Sequence, residues 1–178
     1  MFTDTMRRWV NGVRDTQSQY AVTRLLYPLF DRASSLPLTS AGLLISAAGS
    51  TLAKTGTSNF YALANGVLQN VAASTNMPAL SGTVANAMFN VFCFFIDAGG
   101  NVTSQMGNEG ASLAGVTFPQ FPEGKAIVGF IIINPTGTGN FVGGTTALDN
   151  STVVPNAAYV SPIGGFDPYA LTGLAATP

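Results

Sequence analysis

Residues 125–141 read KAIVGFIIINPTGTGNF. The stretch opens on an apolar run, Ala126 to Ile133, interrupted only by Gly129, and stops at Asn134-Pro135. A run this short cannot cross a bilayer, for which a helix needs about 20 residues. Ile131, Ile132 and Ile133 are β-branched and stiff at χ1, so they suit a pleated surface better than a helix. An apolar run without alternation fits a strand buried on both faces. The stretch is therefore read as the central strand of the fold, closed by a Pro-Thr-Gly-Thr-Gly turn at 135–139.

Outward from this strand, short apolar runs alternate with Gly, Pro, Asn and Ser. Pro122-Glu123-Gly124 turns into it. Leu113 to Phe118 reads as a short strand closed by Pro119, and Ala87 to Asp97 as a longer one. The latter joins Asn101 to Met106 through Ala98-Gly99-Gly100 as a hairpin. A second hairpin centres on Asn65-Gly66, between Asn59–Ala64 and Val67–Val71, because both turn residues tolerate the positive φ of a type I′ turn. Leu43 to Ser46 is a further strand, and Asn140 to Thr146 and Val153 to Val160 are weaker ones. Many short strands with regular turn signals predict an all-β antiparallel sandwich or barrel over residues 36–160. Residues 1–35 form a separate N-terminal helical or extended arm in this reading, and 161–178 an irregular tail.

The arm differs in charge as well as pattern. Arg7, Arg8, Arg14, Arg24 and Arg32 face only Asp4, Asp15 and Asp31, a net +2. Residues 36–178 hold Lys54 and Lys125 against Asp97, Glu109, Glu123, Asp149 and Asp167, a net −3. A net +2 is sparse beside the dense basic blocks of nucleic-acid arms, so no nucleic-acid partner is expected. After a cap at Thr3 or Asp4, Met6, Trp9, Val10 and Val13 follow helical spacing. Pro28 ends any helix in the next apolar cluster, Tyr20 to Phe30. Arg7, Arg8, Trp9, Arg14, Leu25, Leu26 and Phe30 are the candidate partner-binding residues: apolar anchors flanked by cations. Packing of Trp9 and Tyr20 on the chain's own domain is the plainer alternative.

Over the whole chain only 8% of residues are charged, against about 25% in ordinary soluble domains. Neutral surfaces repel one another weakly, so an assembled subunit is expected. The chain has no histidine, which removes the commonest general base and metal ligand. Its single cysteine, Cys93, lies within an apolar run and reads as a buried inert thiol. Carboxylate chemistry would need two acids roughly 5–9.5 Å apart across a cleft. Asp97, Glu109, Glu123, Asp149 and Asp167 are the candidates, and Asp97, Glu109 and Glu123 each have a plainer reading as turn residues. The glycines at 137, 139, 143 and 144 lack the Gly-Lys-Ser/Thr of a phosphate loop. Calcium is conceivable at Asp149-Asn150 or around Asp97 and Asn101, but neither spacing matches a loop motif. Asn101 and Asn150 sit in glycosylation sequons, meaningful only in a secreted eukaryotic protein. Met1 to Arg8 is followed by polar sequence, not by the apolar stretch of a signal peptide. No cofactor, metal, membrane or small-molecule substrate is expected, and no enzyme.

Phe89 to Thr103 (FNVFCFFIDAGGNVT) with Met106 to Ala111, Phe118 to Phe141, and Gly143 to Asp149 together resemble virion proteins of tailed bacteriophages. The resemblance covers about residues 58–160 and lies in scaffold positions. It implies a capsid decoration, cement or head-fibre component with β-rich domains, often trimeric. Its partners would be the major capsid protein and sister subunits, in particles assembled in the bacterial host cytoplasm. The alternative of a tail or receptor-binding module recognising carbohydrate predicts exposed aromatics on one concave face, with Tyr61, Tyr159, Phe166 and Tyr169 the candidates.

Overall fold

The computed structural model describes residues 30–136 and 138–166 of the 178-residue chain. Chain order begins with β1 (Leu36–Pro37), β2 (Leu44–Ile45), β3 (Ala53–Lys54), β4 (Phe60–Ala64) and β5 (Val67–Val71). It continues with β6 (Thr83–Val84), β7 (Asn90–Ile96), β8 (Val102–Met106) and β9 (Ala126–Ile133). Last come β10 (Phe141–Val142) and β11 (Ala158–Val160). The fold is all-β and sandwich-like, and every pairing between these strands is antiparallel. A four-stranded sheet in the order β11-β9-β7-β8 and a three-stranded sheet in the order β1-β4-β5 are its larger parts. The pairs β2-β3 and β10-β6 complete it, and no sheet closes into a barrel among the described residues.

β9 is central, as its composition predicts: β7 pairs along one edge and β11 along the other. Its two faces serve two different cores. Ala126, Val128, Ile131 and Ile133 point between the sheets, where they join Phe92, Phe94 and Ile96 of β7 and Phe60, Ala62 and Ala64 of β4. Ile127 and Phe130 point the other way, into a second cluster with Val91, Cys93 and Phe95. A strict period of two would put Ile131 on the face of Ile127. A bulge prevents this: Phe94 pairs with Gly129 and Phe95 with Ile127, leaving Val128 as the extra residue.

Gly129 is glycine for lack of space. A Cβ there would lie 2.5 Å from Leu43 Cδ1 and 2.6 Å from the Val160 carbonyl oxygen. The break in the apolar run is thus where a loop residue and the edge strand both press on β9. Between the sheets Phe60, Phe92, Phe94 and Phe141 are fully buried, and Phe92 meets Phe141 edge-to-face at 5.7 Å. Burial of side chains this large contributes about 1.5–3 kcal/mol each.

Both predicted hairpins form. Asn65 and Gly66 take φ values of 49° and 75° between β4 and β5, as a type I′ turn requires. β7 and β8 pair from Phe92↔Met106 to Ile96↔Val102, with the glycine-rich turn between them. The expected strand over Leu113 to Phe118 does not form. Leu113–Gly115 is a 3-10 turn, and Thr117 alone bridges to Asn108. The reason is a close crossing of Gly110 over the Gly115 and Val116 backbone, which folds the segment back on itself and leaves Leu113 exposed. The weaker strands shrink to β10 and to β11. The Asn150 side chain accepts from the N–H groups of Thr152 and Val153, holding a turn where the sequence reads extended chain.

Candidate functional site

The fold brings half of its sparse described charges to one cleft. The described residues contain eight charged side chains, and four of them, Asp31, Arg32, Glu123 and Lys125, line a single cleft of about 640 Å³. Three separate segments build it: residues 31–37, 120–127 and 164–166. The first is tied down by two side chains and a main-chain carbonyl. Asp31 Oδ1 accepts from the Gly124 N–H at 2.8 Å, and Ser34 carbonyl accepts from the Gly66 N–H at 2.8 Å. Ser35 Oγ accepts from the Asn65 N–H at 3.1 Å. Residues 30–34 are helical, so the chain enters the sandwich through a turn clamped to two hairpin and loop tips.

Beneath the cleft lies the second core. Phe166 stacks on Phe130 with centroids 5.5 Å apart, and Phe118 meets Phe130 edge-to-face at 5.0 Å. Phe121 sets its edge against Phe95 at 5.0 Å. The Gly164 N–H donates to the Pro37 carbonyl, so residues 164–166 are held against β1. Lys125 Nζ reaches Thr103 Oγ1 at 3.3 Å. Its charge also helps to hold the nearby Asp97 carboxyl below the usual carboxylate range, although the main-chain N–H of Asn101 does most of this.

The other large surface is the outer face of the three-stranded sheet. Register places Leu36 opposite Leu63 and Leu63 opposite Leu68, a row of three leucines across three strands. Leu68 is 60% exposed and Val67, at the hairpin tip, 47%. From Thr55 to Ile96 the chain carries no charged residue at all. The molecule thus has a charged cleft at one place and a bare neutral hairpin at another. No protein-family model, curated protein or solved structure matches the chain.

Of the partner-binding candidates, Phe30 is described and is 68% exposed, at the head of the clamped turn. Arg7, Arg8, Trp9, Arg14, Leu25 and Leu26 lie outside the described residues, as do Asp167 and Tyr169. The aromatic candidates for one concave face are not brought together. Tyr61 lies on the outer face of the three-stranded sheet, Tyr159 packs on the core between the sheets, and Phe166 belongs to the second core. Burial, then the Asp149 charge, pushes the Tyr159 phenol up.

The candidate acids Asp97 and Glu109 are far apart as well. Asp97 follows the last residue of β7, whereas Glu109 lies beside the bridge from Gly110 to Phe89, just before its first. At about 3.3 Å per residue the two are separated by more than 20 Å, far beyond a glycosidase pair. Asp97 Oδ1 caps its own turn, accepting from Gly99 and Asn101 N–H groups at 2.9 Å. Glu109 Oε1 accepts from the Ala85 N–H at 2.6 Å, and Asp149 Oδ2 from Gly49 at 2.9 Å. Each is committed to holding a loop. Burial pushes the Cys93 thiol up, which keeps it protonated and unreactive. Among the described residues no helix is long and apolar enough to cross a membrane.

Proposed function

We propose that the chain is a structural assembly subunit, a virion protein that decorates or cements the capsid of a tailed bacteriophage. One observation carries the assembly part of this reading. Charge is absent from the whole span 55–96, while the cleft where the N-terminal segment joins the sandwich holds half of the described charges. A free monomer gains nothing from a neutral, leucine-bearing surface, whereas a subunit packed among neighbours loses little by it. The clamped turn at 30–35 supports the role of residues 1–29 as an anchor, because load on that segment passes directly into the hairpin and loop it is bonded to. The virion part rests on the resemblance in residues 58–160.

The experiment is incorporation into particles of the phage that encodes the chain. Full-length protein should co-sediment with heads lacking it, whereas removal of residues 1–29 should leave a folded protein that stays in the supernatant. The cut belongs before Asp31, since that carboxylate holds Gly124. Full-length Trp9→Ala and Arg14→Glu should bind particles less tightly than wild type. Unchanged incorporation of all three would sink the anchor. A second reading, a glycan-binding module of the tail, draws on Phe121, Phe166 and Gln120 lying together in a cleft with charged side chains. It requires soluble oligosaccharide to bind with Phe166→Ala abolishing the contact.

A further inference from the structure

β5 is the outer strand of its sheet, and its free edge has a defined donor and acceptor pattern. The two-residue turn makes Ala64↔Val67 a hydrogen-bonded pair, so Ala62↔Gln69 and Phe60↔Val71 are bonded as well. The main-chain groups of Val67, Gln69 and Val71 therefore face β4, and those of Leu68 and Asn70 face outward. Neither Leu68 nor Asn70 gives its outward N–H or carbonyl to another group among the described residues. Natural edges are shielded by a charge, a proline or a bulge. Val67-Leu68-Gln69-Asn70-Val71 has none of these, and no charged residue lies between Lys54 before it and Asp97 after it.

We propose that β5 pairs antiparallel with β5 of a second copy of this chain, about a twofold axis at Gln69. In that register Leu68 stands opposite the partner's Asn70, and Asn70 opposite the partner's Leu68. Both are outward-facing pairs, so the junction forms four main-chain hydrogen bonds, and the two sheets become one of six strands. The twofold keeps both outer faces on one side, carrying the leucine row of each copy across the junction. A neighbouring strand offset by one residue would lose these bonds, because its inward groups would meet the edge. Self-pairing brings no like charges together, since neither edge has any. A foreign strand has no such guarantee.

Size decides how the contact behaves. Two five-residue edges cover much less than the roughly 800 Å² per partner of a stable complex. The pairing is therefore a concentration-dependent equilibrium in solution that strengthens when copies are arrayed side by side. It deepens the proposed assembly role by naming the partner, and it joins two copies or two oligomers, not the three of a trimer. Its test uses solution protein alone, so it can fail while particle binding stands, or the reverse.

The measurement is sedimentation equilibrium of the full chain from micromolar to millimolar concentration, with amide hydrogen exchange on the same samples. The expected result is a monomer–dimer (or oligomer-doubling) transition in which the Leu68 and Asn70 amides slow as protein concentration rises. The Val67, Gln69 and Val71 amides should be protected throughout. Asn70→Pro removes one donor from each copy without touching the β4 ladder, and should weaken association about tenfold or more. Leu68→Lys should do the same by placing a charge on the edge, which keeps the test open if the proline variant misfolds. Leu113→Lys, another exposed apolar site, should leave association unchanged. A chain that does not self-associate overturns the proposal. So does association without slowing of the two amides, or slowing seen only when phage particles are added.

Discussion

The outer faces of the two large sheets differ in what covers them. On the four-stranded sheet, Ile127 and Phe130 of β9 and Phe95 of β7 are roofed by Phe118, Phe121 and Phe166, which the loops bring back over the strands. On the three-stranded sheet, Leu36, Leu63 and Leu68 stand in a row with no such aromatic roof among the described residues, and Leu68 is mostly exposed. Both faces are apolar, but the chain spends its aromatic loops on one of them. The covered face adjoins the charged cleft, whereas Leu63 and Leu68 of the uncovered one sit on a hairpin with no charged residue. The contrast teaches that two apolar sheet faces of one chain can be finished differently, one by aromatic loops and one left open. The open leucines are the feature on which the proposed pairing at β5 builds.

The largest expected effect lies at the bulge that gives β9 its two faces. Gly129→Val would drive a branched side chain into Leu43 and into the Val160 carbonyl, and backbone cannot yield as a side-chain tip can. The cost should exceed about 4 kcal/mol, at the extreme of single substitutions. Thermal melting of the purified variant, or its failure to accumulate as soluble protein, reads this directly. A melting temperature within a few degrees of wild type would mean that the bulge can relax and that the two cores are not locked to it.

The comparison of faces sharpens with a matched pair. Phe130→Ala, on the roofed face, should cost about 3–4 kcal/mol through lost burial and a residual cavity. Leu68→Ala, on the open face, should change stability by no more than about 0.5 kcal/mol in dilute protein. Denaturant unfolding of both variants gives the two numbers. Equal losses would show that the leucine row is already covered within one copy, which would also remove the reason to seek a partner there.

How much of this could be read from residues alone follows from the range of the interactions. β9 and β7 are legible because burial on both faces requires unbroken apolar runs, and Asn65-Gly66 because a tight turn is set by its own two φ angles. Segment 113–118 was not legible. Its apolar residues suggest a strand, yet the approach of Gly110 to Gly115 decides its course, and nothing local announces that contact. The cleft was hidden for the same reason. Asp31, Glu123 and Phe166 each invite attention in the sequence, but only the Asp31–Gly124 and Gly164–Pro37 hydrogen bonds place them around one space. The glycosidase pairing of Asp97 with Glu109 fails because a strand's full length separates residues that look equivalent in a list of acids.

The smallest effect distinguishes a charged turn from the uncharged β4–β5 hairpin by pH. The Asp97 carboxylate is held below its ordinary range chiefly by the Asn101 main-chain N–H. Partial desolvation opposes this, while the Asn101 side chain, the Gly99 N–H and the Lys125 charge assist it. A depressed folded-state value means that the ionised form contributes stability above the unfolded value, near pH 3.9, and that the contribution is lost as pH falls through the folded value. Asp97→Asn should therefore melt slightly below wild type near neutral pH, and the gap should close in strong acid, below both values. Because the carboxylate sits in a solvent-accessible turn, the gap is small and should shrink further with added salt. Leu68→Ala, in a span without titratable charge, should show the same offset from wild type at every pH. If the Asp97→Asn gap also held constant into acid, the carboxylate would act through its shape in the turn and not through its charge. The link from the hairpin turn to Lys125 at the cleft would then have no electrostatic content.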